Sequence, residues 1–188
     1  LLNNPILRLK GAFDSQNLAF WDPTIRRYRA YWRIFTEGTV TDDEWNPKGI
    51  RAIRTGVSDD LEEWEKLIDL TYEDSPPQQL YTNGVLSYPR APHILIGFPT
   101  RYVERENTEA MRALPDPEDR EIRAVASPRY GYALSEGLFM SSRDGTHFKR
   151  WNEAFLRPGP ERTGTWHYGA QYLAWGVDKK QGHTGNSS

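Results

Sequence analysis

Two carboxylates in this 188-residue chain stand beside strand-like segments, where a side chain could face a bound molecule. Asp14 comes just before the apolar segment 17–21, and Glu136 stands next to a glycine at the entrance of the segment 137–142. A carboxylate pair can hydrolyse a glycosidic bond, because one group protonates the leaving oxygen while the other activates water or attacks the sugar. The alternatives are that Asp14 caps the loop that enters the strand and that Glu136 is a solvated loop residue.

Further side chains near the starts of predicted strands could bind sugar hydroxyls or sugar rings. The polar candidates are Gln16, Asn17, Asn83 and His167, and the aromatic candidate is Trp166. Arg90 could hold the carboxylate or sulfate of an acidic glycan through paired hydrogen bonds, and a surface salt bridge explains it equally well. For any single aromatic residue, packing inside the protein is the simpler explanation.

Composition and motifs exclude several other chemistries. The chain has no cysteine, which excludes disulfides, zinc ribbons and thiol nucleophiles. Its four histidines lack the spacing of a metal site, and no phosphate-binding, dinucleotide-binding or serine-hydrolase motif occurs, so we predict no cofactor. The 24 Lys and Arg residues nearly balance the 26 Asp and Glu residues, which argues against a nucleic-acid partner and a polybasic membrane contact. No apolar run approaches the roughly 18 residues of a membrane-spanning helix.

The elements that would position these residues are predicted to be strands. Aromatic residues make up 13% of the chain, which is typical of a packed, β-rich domain. Alternation and turn residues predict two successive sets of four strands, 17–21, 28–36, 49–57 and 63–67, then 80–88, 93–98, 137–142 and 147–151. Residues 103–123 are predicted to form a surface insertion, with a short helix at 107–114 and a solvated loop at 116–121. The apolar run 172–177 is predicted to open another strand set.

The turns between the third and fourth strands of the two sets share one pattern. Residues 58–64 and 142–148 both show Ser-x-Asp-(Leu/Gly)-x-x-aromatic. We expect the serine and aspartate to accept hydrogen bonds from turn amides and the aromatic residue to anchor the outer strand. A repeated four-stranded meander of this kind is typical of a β-propeller blade, and two coincidental hairpin turns are the alternative.

These segments resemble the five-bladed β-propeller glycosidases, the group that contains glycoside hydrolase families 43 and 32. The likeness is carried by residues 12–22 with the aromatic strand after them, by the turn at Ser58, and by residues 137–145, 148–159 and 166–169. It implies an all-β fold of four-stranded antiparallel blades, the first at 14–72, the second at 80–157 with the insertion 103–123, and the start of a third at 166–177. Five such blades need roughly 330–420 residues, so we expect the natural protein to be longer.

The resemblance also implies a function. It implies a poly- or oligosaccharide substrate, a secreted or periplasmic location, and an Asp14 that orients the catalytic acid and raises its pKa. Family 43 would place that acid, a Glu followed by Gly-Pro, on a later inner strand, yet the segment that opens at Tyr81 carries no carboxylate. Glu136 is therefore the substitute, and an acid on absent sequence is the alternative.

Three functions remain open at this point. The first is a glycoside hydrolase, the second a non-catalytic propeller that binds glycans or a protein, and the third a propeller-type glycoside phosphorylase. Some enzymes of this group carry a structural ion in the central channel. The sequence establishes neither whether that ion is present nor which oligomeric state the protein has.

Overall fold

The chain folds mainly into antiparallel sheets. A computed structural model describes residues 6–7, 9–41, 43–165 and 169–178. One sheet contains four strands in chain order: β1 (Leu18–Asp22), β2 (Arg27–Val40), β3 (Trp45–Ser58) and β4 (Glu65–Asp69). The all-β prediction is confirmed. The central hairpin is longer than predicted, because β2 and β3 keep pairing beyond a register shift between Phe35 and Glu37.

A second sheet follows and has a fifth strand at its edge. Its antiparallel strands are β6 (Leu86–Tyr88), β7 (Ala91–Gly97), β10 (Met140–Ser142) and β11 (His147–Arg150), and β5 (Thr71–Glu73) pairs in parallel with β11. A two-stranded sheet of β8 (Thr100–Val103) and β9 (Leu134–Gly137) lies between β7 and β10 along the chain. The predicted end of the first set at residue 72 falls inside β5, which belongs to the second sheet.

The main core joins the two sheets. Tyr31 and Ile53 of the first sheet and Met140 and Phe148 of the second belong to it and are almost fully buried. The opposite face of β2 carries a second cluster of Ala30, Trp32 and Ile34. Successive β2 side chains point to opposite sides of the sheet, so β2 is buried on both faces.

The two predicted turns form the same hydrogen bonds. The hydroxyl oxygen of Ser58 accepts from the amides of residues 60 and 61, and that of Ser142 accepts from the amides of residues 144 and 145. The Asp60 carboxylate accepts from the amides of residues 62 and 63, and the Asp144 carboxylate does the same at 146 and 147. Phe148 is fully buried, and its counterpart Trp64 is half-buried. The predicted capping is therefore confirmed in both turns.

The insertion is longer and more helical than predicted. It runs from 104 to 133 and contains α1 (Glu109–Arg112), α2 (Pro117–Ala126) and α3 (Pro128–Tyr132). The loop prediction for 116–121 was wrong, because most of these residues lie in α2, where Arg120 is buried and donates to the carbonyls of Leu114 and Pro115. Within the described ranges, no helix is long and apolar enough to cross a membrane.

Two strand predictions in the second half of the chain also need correction. The predicted strand 80–88 is regular only in β6, since Gly84 adopts a positive φ of 55° and Asn83 bonds to Gln16. Residues 172–177 form no strand. Their side chains pack on other elements instead, and the indole of Trp175 donates to the Val85 carbonyl at 2.9 Å. The arrangement of the sheets as propeller blades stays a prediction.

Candidate functional site

A cleft of about 350 Å³ opens where the helical insertion meets β3 and the two-stranded sheet. Four arginines line it: Arg51, Arg105, Arg123 and Arg129. Four tyrosines line it as well: Tyr81, Tyr102, Tyr130 and Tyr172. We call this group of eight side chains the arginine–tyrosine cleft. Its volume lies in the range of sites for small molecules.

Arg51 is a partly buried cation of the cleft. It extends from β3, and its guanidinium lies 5.0 Å from the centre of the Tyr102 ring and 5.5 Å from that of Tyr81. One terminal nitrogen donates to the Gln79 side chain at 3.0 Å, whereas the buried Nε has no hydrogen-bond partner. Burial, and after it the positive charge of Arg33, lowers the pKa of Arg51 below its ordinary value.

The other arginines reach the cleft from the insertion. Arg105 donates to the carbonyl of Tyr132 at 2.6 Å, and Arg123 donates to the carbonyl of Tyr130 at 3.2 Å. Arg129 of α3 is exposed, and its guanidinium stacks 5.1 Å from the Tyr130 ring. Among the described residues that line the cleft there is no Asp or Glu. The cleft wall therefore carries a concentrated positive charge, although the whole chain has a net charge of -2.

The tyrosines give the cleft flat, partly apolar surfaces. Tyr81 contacts Tyr172 edge-on, with 5.6 Å between the ring centres, and lies 6.3 Å from Tyr102. Tyr130 and Tyr172 are about half exposed. Burial raises the pKa of Tyr102 above its ordinary value, so this phenol stays neutral near pH 7. Exposed aromatic faces beside hydrogen-bond donors suit a ligand that has both apolar and polar edges.

Asp14 lies next to the cleft. Its half-exposed carboxylate forms an ion pair with Arg33, a β2 side chain that is almost fully buried. The Arg33 guanidinium stacks 4.8 Å from the centre of the Tyr81 ring, and the neighbouring Ser15 hydroxyl donates to the Tyr81 carbonyl. Asp14 is thus linked to a cleft residue through one intervening side chain.

Glu136 faces a different side of the molecule. It lies on β9 and pairs with Arg101 of β8, whose Nε donates to it at 2.9 Å. Its neighbour Ser135 lines the cleft, and adjacent residues of a strand point to opposite faces. No hydrogen bond or ion pair among the described residues joins Glu136 to Asp14. Their roles as a catalytic pair stay a prediction.

The predicted sugar-binding residues fall in separate places. Gln16 and Asn83 do come together, but they bond to one another, because the Gln16 amide oxygen accepts from the amides of Asn83 and Gly84. Asn17 donates to the carbonyls of Phe13 and Ser15. The bonds between Gln16 and Asn83 connect the residues before β1 to the segment that precedes β6, and those of Asn17 stay within the residues before β1. All three side chains therefore hold backbone in place.

Arg90 lies in the exposed turn between β6 and β7, whereas the cleft lies beyond the opposite end of β7. Trp166 and His167 lie outside the described residues. No group of three or more acidic or histidine side chains that could hold a metal ion occurs in the described part of the chain.

One feature of the sequence points to the cleft, namely a charged residue on a buried face of β3. Arg51 shares a face of β3 with Ile53 and Thr55, and both of those side chains are almost fully buried. A charged residue on a strand face whose other side chains are buried indicates either an internal ion pair or a binding site. The other cleft residues come from distant parts of the chain and show no local pattern.

Comparisons with known proteins assign the chain to no family. No protein-family profile matches it, and neither does any curated protein. One solved structure is similar to 78% of the chain, at 12% identity and a TM-score of 0.49: an N-acetylgalactosamine deacetylase from F. plautii in complex with blood group B trisaccharide. The matched region spans 31% of that protein. A likeness of this size carries no inference about the fold or the reaction of this chain.

Proposed function

We propose that this protein binds a carbohydrate in the arginine–tyrosine cleft. The observation that supports the proposal is the pairing of half-exposed tyrosine rings with arginine donors around one concavity of about 350 Å³. Sugar rings have apolar faces that stack on aromatic side chains, and their hydroxyls accept hydrogen bonds from guanidinium groups. Carbohydrate binding also agrees with the resemblance to propeller glycosidases.

The tyrosine that is best placed to test this proposal is Tyr172. Tyr172→Ala removes a half-exposed ring at the rim, and we expect it to weaken saccharide binding about fivefold, because one aromatic contact is worth roughly 1 kcal/mol. Isothermal titration calorimetry against a panel of oligosaccharides measures the change. Trp45→Ala removes an equally exposed ring that does not line the cleft and is expected to leave binding unchanged. Equal losses in both variants would contradict the proposal.

Hydrolysis of the bound glycan is the second candidate function. The observation that favours it is the position of Asp14, whose half-exposed carboxylate is held by Arg33 next to the ring of Tyr81. In the propeller glycosidases that the chain resembles, a carboxylate at this point of the first inner strand tunes the catalytic acid. Glu136 is the acid that the sequence offers, and its ion pair with Arg101 on the other side of β9 does not favour it.

Asp14→Asn separates hydrolysis from binding. If Asp14 raises the pKa of a catalytic acid, Asp14→Asn should lower kcat about tenfold, which is the effect of moving that pKa by about one. The dissociation constant of the glycan should stay nearly unchanged. Turnover of reducing-end-labelled oligosaccharides and calorimetric binding are measured on the same samples. Glu136→Gln serves as the companion variant. Unchanged turnover in Asp14→Asn would remove this residue from the mechanism. If turnover falls in Glu136→Gln alone, the catalytic carboxylate is Glu136, which pairs with Arg101.

A further inference from the structure

Arg51 and Arg129 bring positive charge to the arginine–tyrosine cleft. Its four arginines lie on walls built from β3 and the insertion, and no carboxylate is among the described lining residues. A cluster of positive charges in a concavity attracts anions, since like charges held together repel one another until a counter-charge binds. A neutral sugar would need only the stacking surfaces and a few donors.

Arg51 provides the second, independent observation. Its Nε is buried and has no hydrogen-bond partner, while its Nη1 donates to a neutral amide oxygen and three aromatic rings pack around the guanidinium. Within the described contacts it forms no ion pair. A partly buried guanidinium whose Nε is shielded from solvent is normally paired with a carboxylate or a similar group, because desolvating a charge without a partner is costly.

Arg129 lines the same cleft as this side chain. It extends from α3, is exposed, and its guanidinium stacks 5.1 Å from the centre of the Tyr130 ring. Guanidinium groups bind planar or tetrahedral oxyanions through two parallel hydrogen bonds, so two of them can hold one charged group from both sides. The cleft is too small for a folded protein and admits one or a few sugar units.

We propose that the arginine–tyrosine cleft selects saccharides that carry a carboxylate or a sulfate group, and that Arg51 and Arg129 are the two guanidiniums that contact this group. The proposal rests on carbohydrate binding as the function of the cleft. The tyrosine rings stack on the sugar, and the two arginines distinguish the charged ligand from a neutral one of the same shape.

The experiment uses pairs of ligands that differ only in charge. Uronic-acid oligosaccharides are compared with their carboxyl-reduced counterparts, and sulfated oligosaccharides with their desulfated counterparts, by calorimetry on the full protein. We expect one charged series to bind at least tenfold more tightly than its neutral partner, and the affinity to fall as salt rises. The series that binds identifies the charged group as carboxylate or sulfate.

Arg51→Met removes the charge while it keeps a long apolar side chain among the aromatic rings. We expect it to weaken binding of the charged ligand about 10- to 100-fold, as for the loss of a hydrogen-bonded charge pair, and to weaken binding of the neutral counterpart by no more than about fivefold, as for the loss of a hydrogen bond to a hydroxyl. Arg129→Gln should weaken charged binding in the same direction, and this exposed position does not endanger folding. Arg157→Gln, which removes an exposed arginine that pairs with Glu153, is the matched control and should have no effect.

The outcomes separate this inference from the proposed function. If both members of every pair bind equally, or if Arg51→Met and Arg129→Gln weaken neutral and charged ligands alike, charge selection is wrong and carbohydrate binding stands. If inorganic sulfate binds in an Arg51-dependent way but no saccharide does, the cleft is an anion site and the carbohydrate proposal fails. If neither saccharides nor sulfate bind, both are overturned.

Discussion

Asp22→Ala is expected to lower the free energy of unfolding by about 3–5 kcal/mol, because it leaves the guanidinium of Arg29 buried without its counter-charge. The Arg29 Nε donates to the Asp22 carboxylate at 3.0 Å, and both side chains are at least 94% buried. The other carboxylate oxygen of Asp22 accepts from the Thr24 amide at 3.0 Å and shapes the turn between β1 and β2. Urea unfolding followed by tryptophan fluorescence measures the change through the transition midpoint.

Two further variants show whether burial is the cause. Asp59→Ala removes an aspartate that pairs with Arg27, two residues before Arg29 on β2, but this aspartate is 76% exposed and its loss should be small. Asp22→Ala combined with Arg29→Met replaces both charges and should regain much of the lost stability, since no buried charge is left unpaired. Similar losses for Asp22→Ala and Asp59→Ala would show that burial does not set the strength of this pair.

The strands and turns of the first sheet could be predicted because their signals are local. Aromatic and β-branched residues run through β2, and the serine and aspartate of each turn bond to amides within three residues of themselves. Such patterns need no knowledge of the rest of the chain. The predicted bounds of β1 and the start of β2 were therefore right to within one residue.

The incorrect secondary-structure predictions concern segments whose residue pattern fits two kinds of structure. Residues 172–177 have the composition of a strand, yet they form an irregular segment in which Tyr172 contacts the Tyr81 ring and Trp175 bonds to the Val85 carbonyl. In α2 the helix signals were present, with Pro117 at the first turn and Glu118 and Asp119 after it. The charged run 116–121 also fits a solvated loop, which was the prediction.

The cleft could not be predicted because its residues meet only in the folded chain. Arg51 comes from the first sheet, Tyr102 and Ser135 from the small sheet, and Arg129 from a helix that the sequence analysis did not predict. Asp14 was found from its place before β1, a local feature. Its partner Arg33 was missed, because that pairing depends on how the N-terminal segment lies across β2.

Gly145→Ala is expected to lower the free energy of unfolding by about 2–5 kcal/mol, the sum of backbone strain and a steric clash. Gly145 has a φ of 83°, where a side chain is disfavoured, and a Cβ at this position would lie 2.4 Å from a terminal nitrogen of Arg29. Its carbonyl also accepts from the Tyr31 hydroxyl at 2.8 Å, so this turn of the second sheet packs directly on β2 of the first. Urea unfolding under the same conditions measures the loss.

The first turn supplies the matched control for this prediction. Leu61 occupies the equivalent position with a φ of 69°, but its turn is on the surface and its side chain is half-buried. Leu61→Gly should therefore change stability little, because relief of backbone strain is offset by the greater freedom of glycine in the unfolded chain. The repeated turn motif fixes the backbone at both positions, and the packing against Arg29 and Leu95 requires glycine at the second.

The two stability predictions are linked through Arg29, which gives a test of the mechanism. If the new methyl group acts by displacing that guanidinium, Gly145→Ala should cost less in the protein that already carries Asp22→Ala and Arg29→Met, because what remains is backbone strain of about 1–2 kcal/mol and a contact with the Leu95 side chain at 2.9 Å. Methionine is flexible and can move away from the added atom, whereas the arginine is held by Asp22. An undiminished cost in that background would mean that the strain lies in the turn itself and that Arg29 does not connect the two sheets in the way that the structure indicates.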